Sequence, residues 1–344
     1  MTRLVFVTQR LDPDDPNLAA AVPMVAALAA RVDDVAVLVL DARPAPLPAN
    51  VRVRTFGART RLGRGLRFAR VLGAELRRRP DALVAHMSPV YAVLAAPLAR
   101  PLGTRVLLWF THWRRSTLLQ LAERLATAVV SVDERSFPLR SRKVRAIGHG
   151  IDLAEFPCSP RPASGPVRLL ALGRYSPAKG LDHVLRGLAL VPDATLLVHG
   201  PCVTGEERRH RADLQALVSQ LGLGDRVRLE GPVPRREVPG LLAGATALVN
   251  NMRAGAPDKV VYEAAASCVP VLASNPVFDE LFAGLEPPLA FARERPEELA
   301  ARIEALAAAE PDALARLGRA LRGRVEERHS VDTWADGVVA AAGL

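Results

Sequence analysis

Short apolar runs alternate with helical spacing along this chain. In the first half "LVFVTQ", "VAVLVL", "ALVAHM", "RVLLWF" and "TAVVSV" read as buried strands. In the second half "VRLLALG", "ATLLVHG", "RVRLEG", "TALVNN" and "VPVLAS" do the same. Continuous apolar runs, rather than strict alternation, are what a strand covered on both faces requires. Between them lie helical patterns such as Leu181, Val184, Leu185 and Leu188, at i, i+3, i+4 and i+7. Strand–helix alternation repeated twice predicts two doubly wound parallel sheets, each with its ligand end at the carboxyl ends of its strands. The Pro- and Ser-rich "EFPCSPRPASGP", Glu155 to Pro166, reads as the linker. The division predicted is 1–155, 156–330 and a terminal helix, 331–344, packing on the first domain, with a ligand cleft between the two domains.

At 344 residues the chain exceeds one ordinary core, which agrees with two domains. The longest apolar run, Leu18 to Ala30, is broken by Pro23 and is too short to span a bilayer. The start "MTRLVFVTQRLD" does not read as a signal peptide. Cys158, Cys202 and Cys268 are odd in number and far apart, fitting neither a disulfide framework nor a metal knuckle. The expectation is a reduced, cytoplasmic setting.

Charge divides the halves. Residues 1–150 hold 24 Lys/Arg against 11 Asp/Glu, and Arg52 to Arg79 hold ten arginines with one acid, Glu75. A solvated arginine surface accounts for this, as does a face for an anionic partner such as lipid headgroups, making the protein membrane-peripheral. Aromatic residues are 4%, and no helix-turn-helix, zinc-finger or RNP pattern occurs, so nucleic acid is not expected.

The chemistry concentrates at helix starts. In "LGRYSPAKGL" a strand ends at Gly173, and Arg174 and Lys179 precede an amphipathic helix. In "AGAPDKVVYEAAA" Pro257 falls at a plausible first helical position and Lys259 in the first turn. Cations there are opposed by the helix dipole, a penalty that a bound phosphate or diphosphate would reverse. The simpler alternatives are a solvated lysine, a structural arginine pair, and a Lys259–Glu263 pair in the weaker i,i+4 order. Glu263 could accept two hydroxyls of a ribose diol. "GPVP", with Val233, could present main-chain groups to a base or be only a Pro-rich turn. His86 in "HMSP" and His112 in "FTHW" each follow a strand, and Gln9 ends the opening run "LVFVTQ". "DPDD", Asp12 to Asp15, reads as a turn rather than a metal motif.

"LGRYSPAKG", "LVHGP", "RVRLEGPVP", "DKVVYEAAASCVPVLASN" and "IGHGID", in that order, resemble the family 4 (group 1) glycosyltransferases of the GT-B fold. "AHMSPVY" and "LLWFTHW" are similar to one bacterial branch. The resemblance implies an α/β fold of two Rossmann-like domains facing a cleft. It implies a nucleoside-diphosphate-sugar donor in the second, an unidentified acceptor in the first, and transfer with retention without metal or other cofactor. By the same resemblance Arg174 and Lys179 match a diphosphate-binding pair, Glu263 a ribose-binding glutamate, and His112 a residue near the transferred sugar. The family's usual sugar-binding Glu is here Gly255. Main-chain amides of the stretch Ala256 to Lys259, which includes Pro257, could hold sugar hydroxyls, and Asp258 could supply a displaced carboxylate. His86 and Gln9 fall on the acceptor side. A GT-B epimerase and a non-catalytic nucleotide-sugar-binding protein are the rival readings.

Overall fold

The structure, a computed structural model, describes residues 1–15, 18–158 and 166–344. Most of the linker reading lies outside these residues. The chain folds as two units, Met1–Asp152 with Arg328–Leu344, and Leu153–Glu327.

The first unit is a seven-stranded parallel sheet in the order β3-β2-β1-β4-β5-β6-β7. Its strands are β1 (Arg3–Leu11), β2 (Asp34–Ala42), β3 (Val51–Thr55), β4 (Ala82–His86), β5 (Arg105–Trp109), β6 (Ala128–Ser131) and β7 (Val144–Ala146). One face packs Val5, Val7, Leu83 and Leu108 beneath α2 (Arg61–Leu76), α3 (Pro89–Ala99) and α4 (Thr117–Leu125). On the other, Phe6 and Trp109 meet Trp334 of the C-terminal helix Val331–Ala342 edge-on. That helix also packs on α1 (Ala21–Ala29), where Arg31 just beyond α1 pairs with Asp332 and Asp336.

β3 escapes a search for apolar runs because it alternates. Its Arg52 lies over the edge of the sheet, forked onto Asp34 at 2.8 and 3.0 Å and bonded to Glu75 at 3.0 Å. Part of the basic run is therefore structural. The "DPDD" stretch is a turn: Asp12 accepts from Asp14 N–H, Asp15 accepts from Leu18 N–H, and Arg10 and Arg43 pair with them.

His329 is half-buried, and desolvation together with the charge of Arg328 lowers its pKa from 6.5 to about 4. The unfolded chain then takes up this proton before the folded one. Stability associated with this group is complete above about pH 6.5 and is lost as pH falls toward about 4. His329→Gln should flatten that part of the acid unfolding profile, followed by circular dichroism.

The second unit is a five-stranded parallel sheet in the order β10-β9-β8-β11-β12. Its strands are β8 (Val167–Leu172), β9 (Ala194–His199), β10 (Val227–Glu230), β11 (Ala247–Asn250) and β12 (Val271–Ala273). The helices used below are α5 (Leu181–Ala189), α6 (Gly205–Gln220), α7 (Val238–Gly244) and α8 (Lys259–Ala266). Strand order reverses between β8 and β11, the place where open parallel sheets bind ligands.

The cysteine reading fails. Cys158 and Cys268, 110 residues apart in sequence, form a disulfide with Cα atoms 5.0 Å apart, and Cys202 is the free thiol. Folding brings the start of the unit beside the end of α8, a proximity that spacing does not reveal. The inference of a reduced compartment loses its support. Among the described residues no helix is long and apolar enough to cross a membrane.

Candidate functional site

In the second unit, Gly173 and Arg174 leave the carboxyl end of β8, and Asn250 and Asn251 stand at the end of β11. These four line one hollow with Lys179 and Leu181. Gly173 has φ +124°, and a Cβ built there would lie 2.7 Å from Lys179 Nζ. Glycine both permits that backbone angle and leaves room for the amine. Lys179 ends a 3-10 turn, Pro177–Lys179, that α5 follows after Gly180.

The amine is not alone. It is paired with the Asp258 carboxylate and donates to Leu172 O at 3.3 Å. Asn250 Nδ2 donates to the same Asp258 oxygen at 2.9 Å. Arg174 pairs with Glu207 at 3.3 Å, and Lys259 with Glu263 at 3.1 Å. The expectation of uncompensated cations at two helix N-termini is therefore corrected: each of the three has a carboxylate, and the i,i+4 pair dismissed as weak is formed. For Lys179 and Arg174 the balancing acids are distant in sequence. Glu207 comes from the first turn of α6, held by a capping box with Thr204.

α8 begins at Lys259 with Asp258 as its N-cap, so Pro257 precedes the helix instead of opening it. Asp258 makes no side-chain cap bond, because its carboxylate is turned to Lys179 and Asn250. The Asp258 side chain thus offers no acceptor to the first amides of α8, of which Val261 N–H donates to Asp258 O at 3.1 Å. Gly255, at φ +138°, has a backbone angle suited to glycine, and its carbonyl accepts from Asn275 Nδ2. Ala256 lies between it and the buried Pro257.

Glu263 is buried in α8. Its Oε1 accepts from Arg235 at 2.8 Å as well as from Lys259. Arg235 forks onward to Glu155 at 2.8 and 2.9 Å and lies 5.2 Å over the Phe156 ring. Burial would raise the Glu263 pKa, yet the charges of Lys259 and Arg235 hold it at about 2. Burial lowers the pKa of Lys259, against the pull of Glu263. Arg235 follows the "GPVP" loop that carries Val233, between β10 and α7. Sequence reading missed it. The signal available was an arginine immediately beyond a turn that itself ends a strand of this sheet.

Asn250 and Asn251 are 3% and 2% exposed, and the Oδ1 of each has no hydrogen-bond partner among the described residues. Two desolvated acceptors at a ligand end are costly unless a donor arrives. Hydroxyl groups are such donors.

The first unit carries its own polar cluster where its strand order reverses, between β1 and β4. His86 ends β4, is buried, stacks on Phe6 and is hydrogen-bonded to Thr8 Oγ1 at 3.0 Å. Gln9 Nε2 donates to Ser88 Oγ at 3.1 Å. His112, beyond β5, is half-buried, stacks on Trp113 and accepts from Arg114 N–H at 3.0 Å. The structure thus brings Gln9 and His86 to one place. Among the second-unit candidates it joins Lys179 to Asp258 and Lys259 to Glu263.

Residues 156–324 match the family described as glycosyl transferases group 1. One relative, GDP-mannose:cellobiosyl-diphosphopolyprenol alpha-mannosyltransferase of Xanthomonas campestris, is 27% identical over 69% of this chain and 63% of its own length. A second, the UDP-N-acetylglucosamine--N-acetylmuramyl-(pentapeptide) pyrophosphoryl-undecaprenol N-acetylglucosamine transferase of Thiobacillus denitrificans, is 33% identical over 37% and 38%. The chain thus matches 63% and 38% of these relatives' lengths. Among solved structures, sucrose-phosphate synthase from Thermosynechococcus elongatus superimposes with TM-score 0.80 at 18% identity, covering 99% of this chain and 98% of that one. Anabaena Alr3699/HepE, in complex with UDP and glucose, gives 0.77 at 19% identity over the whole of both chains. These likenesses show a shared fold, GT-B.

Proposed function

We propose that this chain, whose residues 156–324 match the group 1 glycosyl transferases, moves a sugar from a nucleoside diphosphate to an acceptor. The observation that carries the proposal is the convergence of Arg174, Lys179 and two orphaned asparagine oxygens at the strand-order reversal of the matched unit. Cations there suit a diphosphate, and desolvated amide oxygens suit sugar hydroxyls. In this reading Arg174 and Lys179 stabilise charge developing on the departing diphosphate, and that phosphate takes the acceptor's proton. The main-chain amides of Ala256 and Asp258, ahead of α8, and of Lys259, its first residue, complete the anion site. Glu263, held ionised, receives the ribose diol on its second oxygen, Oε2. Val233 lies beside the base. His112 meets the transferred sugar, and His86 and Gln9 stand on the acceptor side. Retention of anomeric configuration and independence of metal ions are part of the proposal.

Both sequence relatives are named for acceptors or products bearing a polyprenyl diphosphate. We take the acceptor to be lipid-linked, and the protein to work at the inner face of a membrane without crossing it. A thermal-shift screen with UDP, GDP, ADP and their sugars tests the donor site. One nucleoside diphosphate should raise the Tm, and the matching sugar nucleotide should be consumed when a polyprenyl-diphosphate glycan is supplied. Binding without transfer across such acceptors would favour a non-catalytic protein. An isomerised sugar nucleotide formed without acceptor would favour an epimerase. No shift with any nucleotide would overturn the site assignment.

A further inference from the structure

β10 is the edge strand of its sheet, and its register with β9 ends at Glu230↔His199. Beyond that pair the ladder gives the chain no support, and there the "GPVP" loop, Gly231 to Pro234, leaves the strand. Side chains from α6, from the loop after β8 and from β9 hold its start. Arg211 of α6 donates to Leu229 O at 2.6 Å. The Tyr175 hydroxyl donates to Glu230 O at 2.8 Å, with Val198 O 3.3 Å away. His199, the last residue of β9, is bonded through Nδ1 to Gly231 O at 3.0 Å. A carbonyl oxygen only accepts, so Nδ1 carries the proton. Three successive main-chain carbonyls thus each receive a side-chain donor.

Tyr175 is fully buried, and burial pushes its pKa up to about 12, so the hydroxyl keeps its proton and donates. Arg211 lies 5.1 Å over its ring, which makes one packed pair of the donors to Leu229 and Glu230. The residue before Tyr175 is Arg174, which lines the hollow, and Tyr175 N–H donates to Pro201 O at 3.3 Å. Arg174 and Tyr175 therefore join the diphosphate side of the hollow to the loop after β10. The far end of that loop is held as well, because Arg235 is bonded to Glu155 and Glu263. Pro232 and Pro234 have a fixed φ and no N–H, which leaves Val233 as the one main-chain donor of the three. Filling a core does not require these bonds to converge on one loop. Presenting one N–H and its neighbouring carbonyls to a planar ligand in a fixed position does.

We propose that Tyr175 and His199 are positioning residues of the donor site, clamping the Glu230 and Gly231 carbonyls so that Val233 meets the nucleobase in one fixed geometry. This rests on the reading of Val233 given above. A preorganised loop lowers the ordering cost of binding, and the gain falls on the base rather than on the diphosphate. Tyr175→Phe removes one oxygen, so it should fold. His199→Leu removes the second donor, and His199→Asn keeps an N–H close to the place of Nδ1. Amide hydrogen exchange followed by mass spectrometry should be faster across residues 229–237 in Tyr175→Phe and His199→Leu, unchanged in α5 and β11, and restored toward the parent in His199→Asn. In calorimetric titration each of the first two variants should bind the nucleoside diphosphate chosen by the thermal-shift screen about three- to tenfold more weakly. Inorganic pyrophosphate should bind to them as it does to the parent. Parent-like nucleotide affinity in both variants overturns the proposal. So does an equal loss for pyrophosphate, which would mean a general loosening of the unit. A parent that prefers no nucleoside diphosphate over pyrophosphate overturns the base-side reading itself, a result distinct from parent-like variants of a nucleotide-binding parent.

Discussion

Replacing Lys179 by alanine is expected to weaken nucleoside diphosphate binding by about 1.5–3 kcal/mol, the cost of one charge-assisted bond. Transfer should slow by about 10²–10³-fold, the loss typical of removing one preorganised group that stabilises transition-state charge. The structure adds a second contribution. Lys179 is the counter-ion of Asp258, and Asn250 holds that carboxylate in place. Without the amine, a carboxylate stands beside the position proposed for the diphosphate and repels it. Asp258→Asn in the parent background should therefore tighten binding of the bare nucleoside diphosphate, because Lys179 is released to the ligand. Where Asp258 also holds a sugar hydroxyl, the same variant weakens the sugar nucleotide relative to the diphosphate. Calorimetric titration of both ligands against Lys179→Ala, Asp258→Asn and the double variant forms a cycle. The double variant should bind the diphosphate more tightly than Lys179→Ala alone. Equal affinity of parent and Lys179→Ala would remove this lysine from the site.

All ten strands read from apolar runs are formed, since burial on both faces writes itself into consecutive residues. The two omitted, β3 and β7, are short: β3 alternates Val51 and Val53 with arginine, and β7 offers only Val144, Arg145 and Ala146. Side chains near the ligand end were legible where they follow strands, as Arg174 follows β8 and His86 closes β4. Their partners were not. Lys179 and Asp258 stand 79 residues apart, Arg235 and Glu155 80. No local pattern encodes which acid a cation will meet, because tertiary packing decides it. Two acids are local exceptions: Glu263, four residues beyond Lys259 and weighed above as its partner, and Glu207. "TGEE" announces a capping box, and the carboxylate so fixed is the one that Arg174 reaches. The dipole cost of isolated cations therefore does not single out Arg174 and Lys179, because each is balanced by a carboxylate. What ties them to a ligand is their place at the strand-order reversal and the unpaired oxygens of Asn250 and Asn251.

Arg235→Ala carries the largest expected effect on stability. Arg235 stands between Glu155 and Glu263, with Lys259 on the far side of Glu263. Two acids and two bases balance, and their removal from water is tolerable only as a set. Deleting the guanidinium leaves a surplus negative charge in the second unit and should cost about 3–5 kcal/mol. For a domain of this size that is a fall in Tm of roughly 10 °C. The pH dependence identifies the cause. In the parent, Glu263 titrates at about 2, below its ordinary 4.5. Its contribution is complete above about pH 4.5 and is lost as pH falls toward about 2. Without Arg235 one of its two cations is gone while its burial remains, so the folded-state pKa rises. Acid then costs the variant less than the parent. The stability difference between them should narrow from pH 7 to pH 3 in denaturant titrations, and Arg235→Lys, which restores charge without the fork, should recover part of it. A gap that stays constant with pH would mean that Arg235 acts through its packing on Phe156 rather than by holding Glu263 ionised.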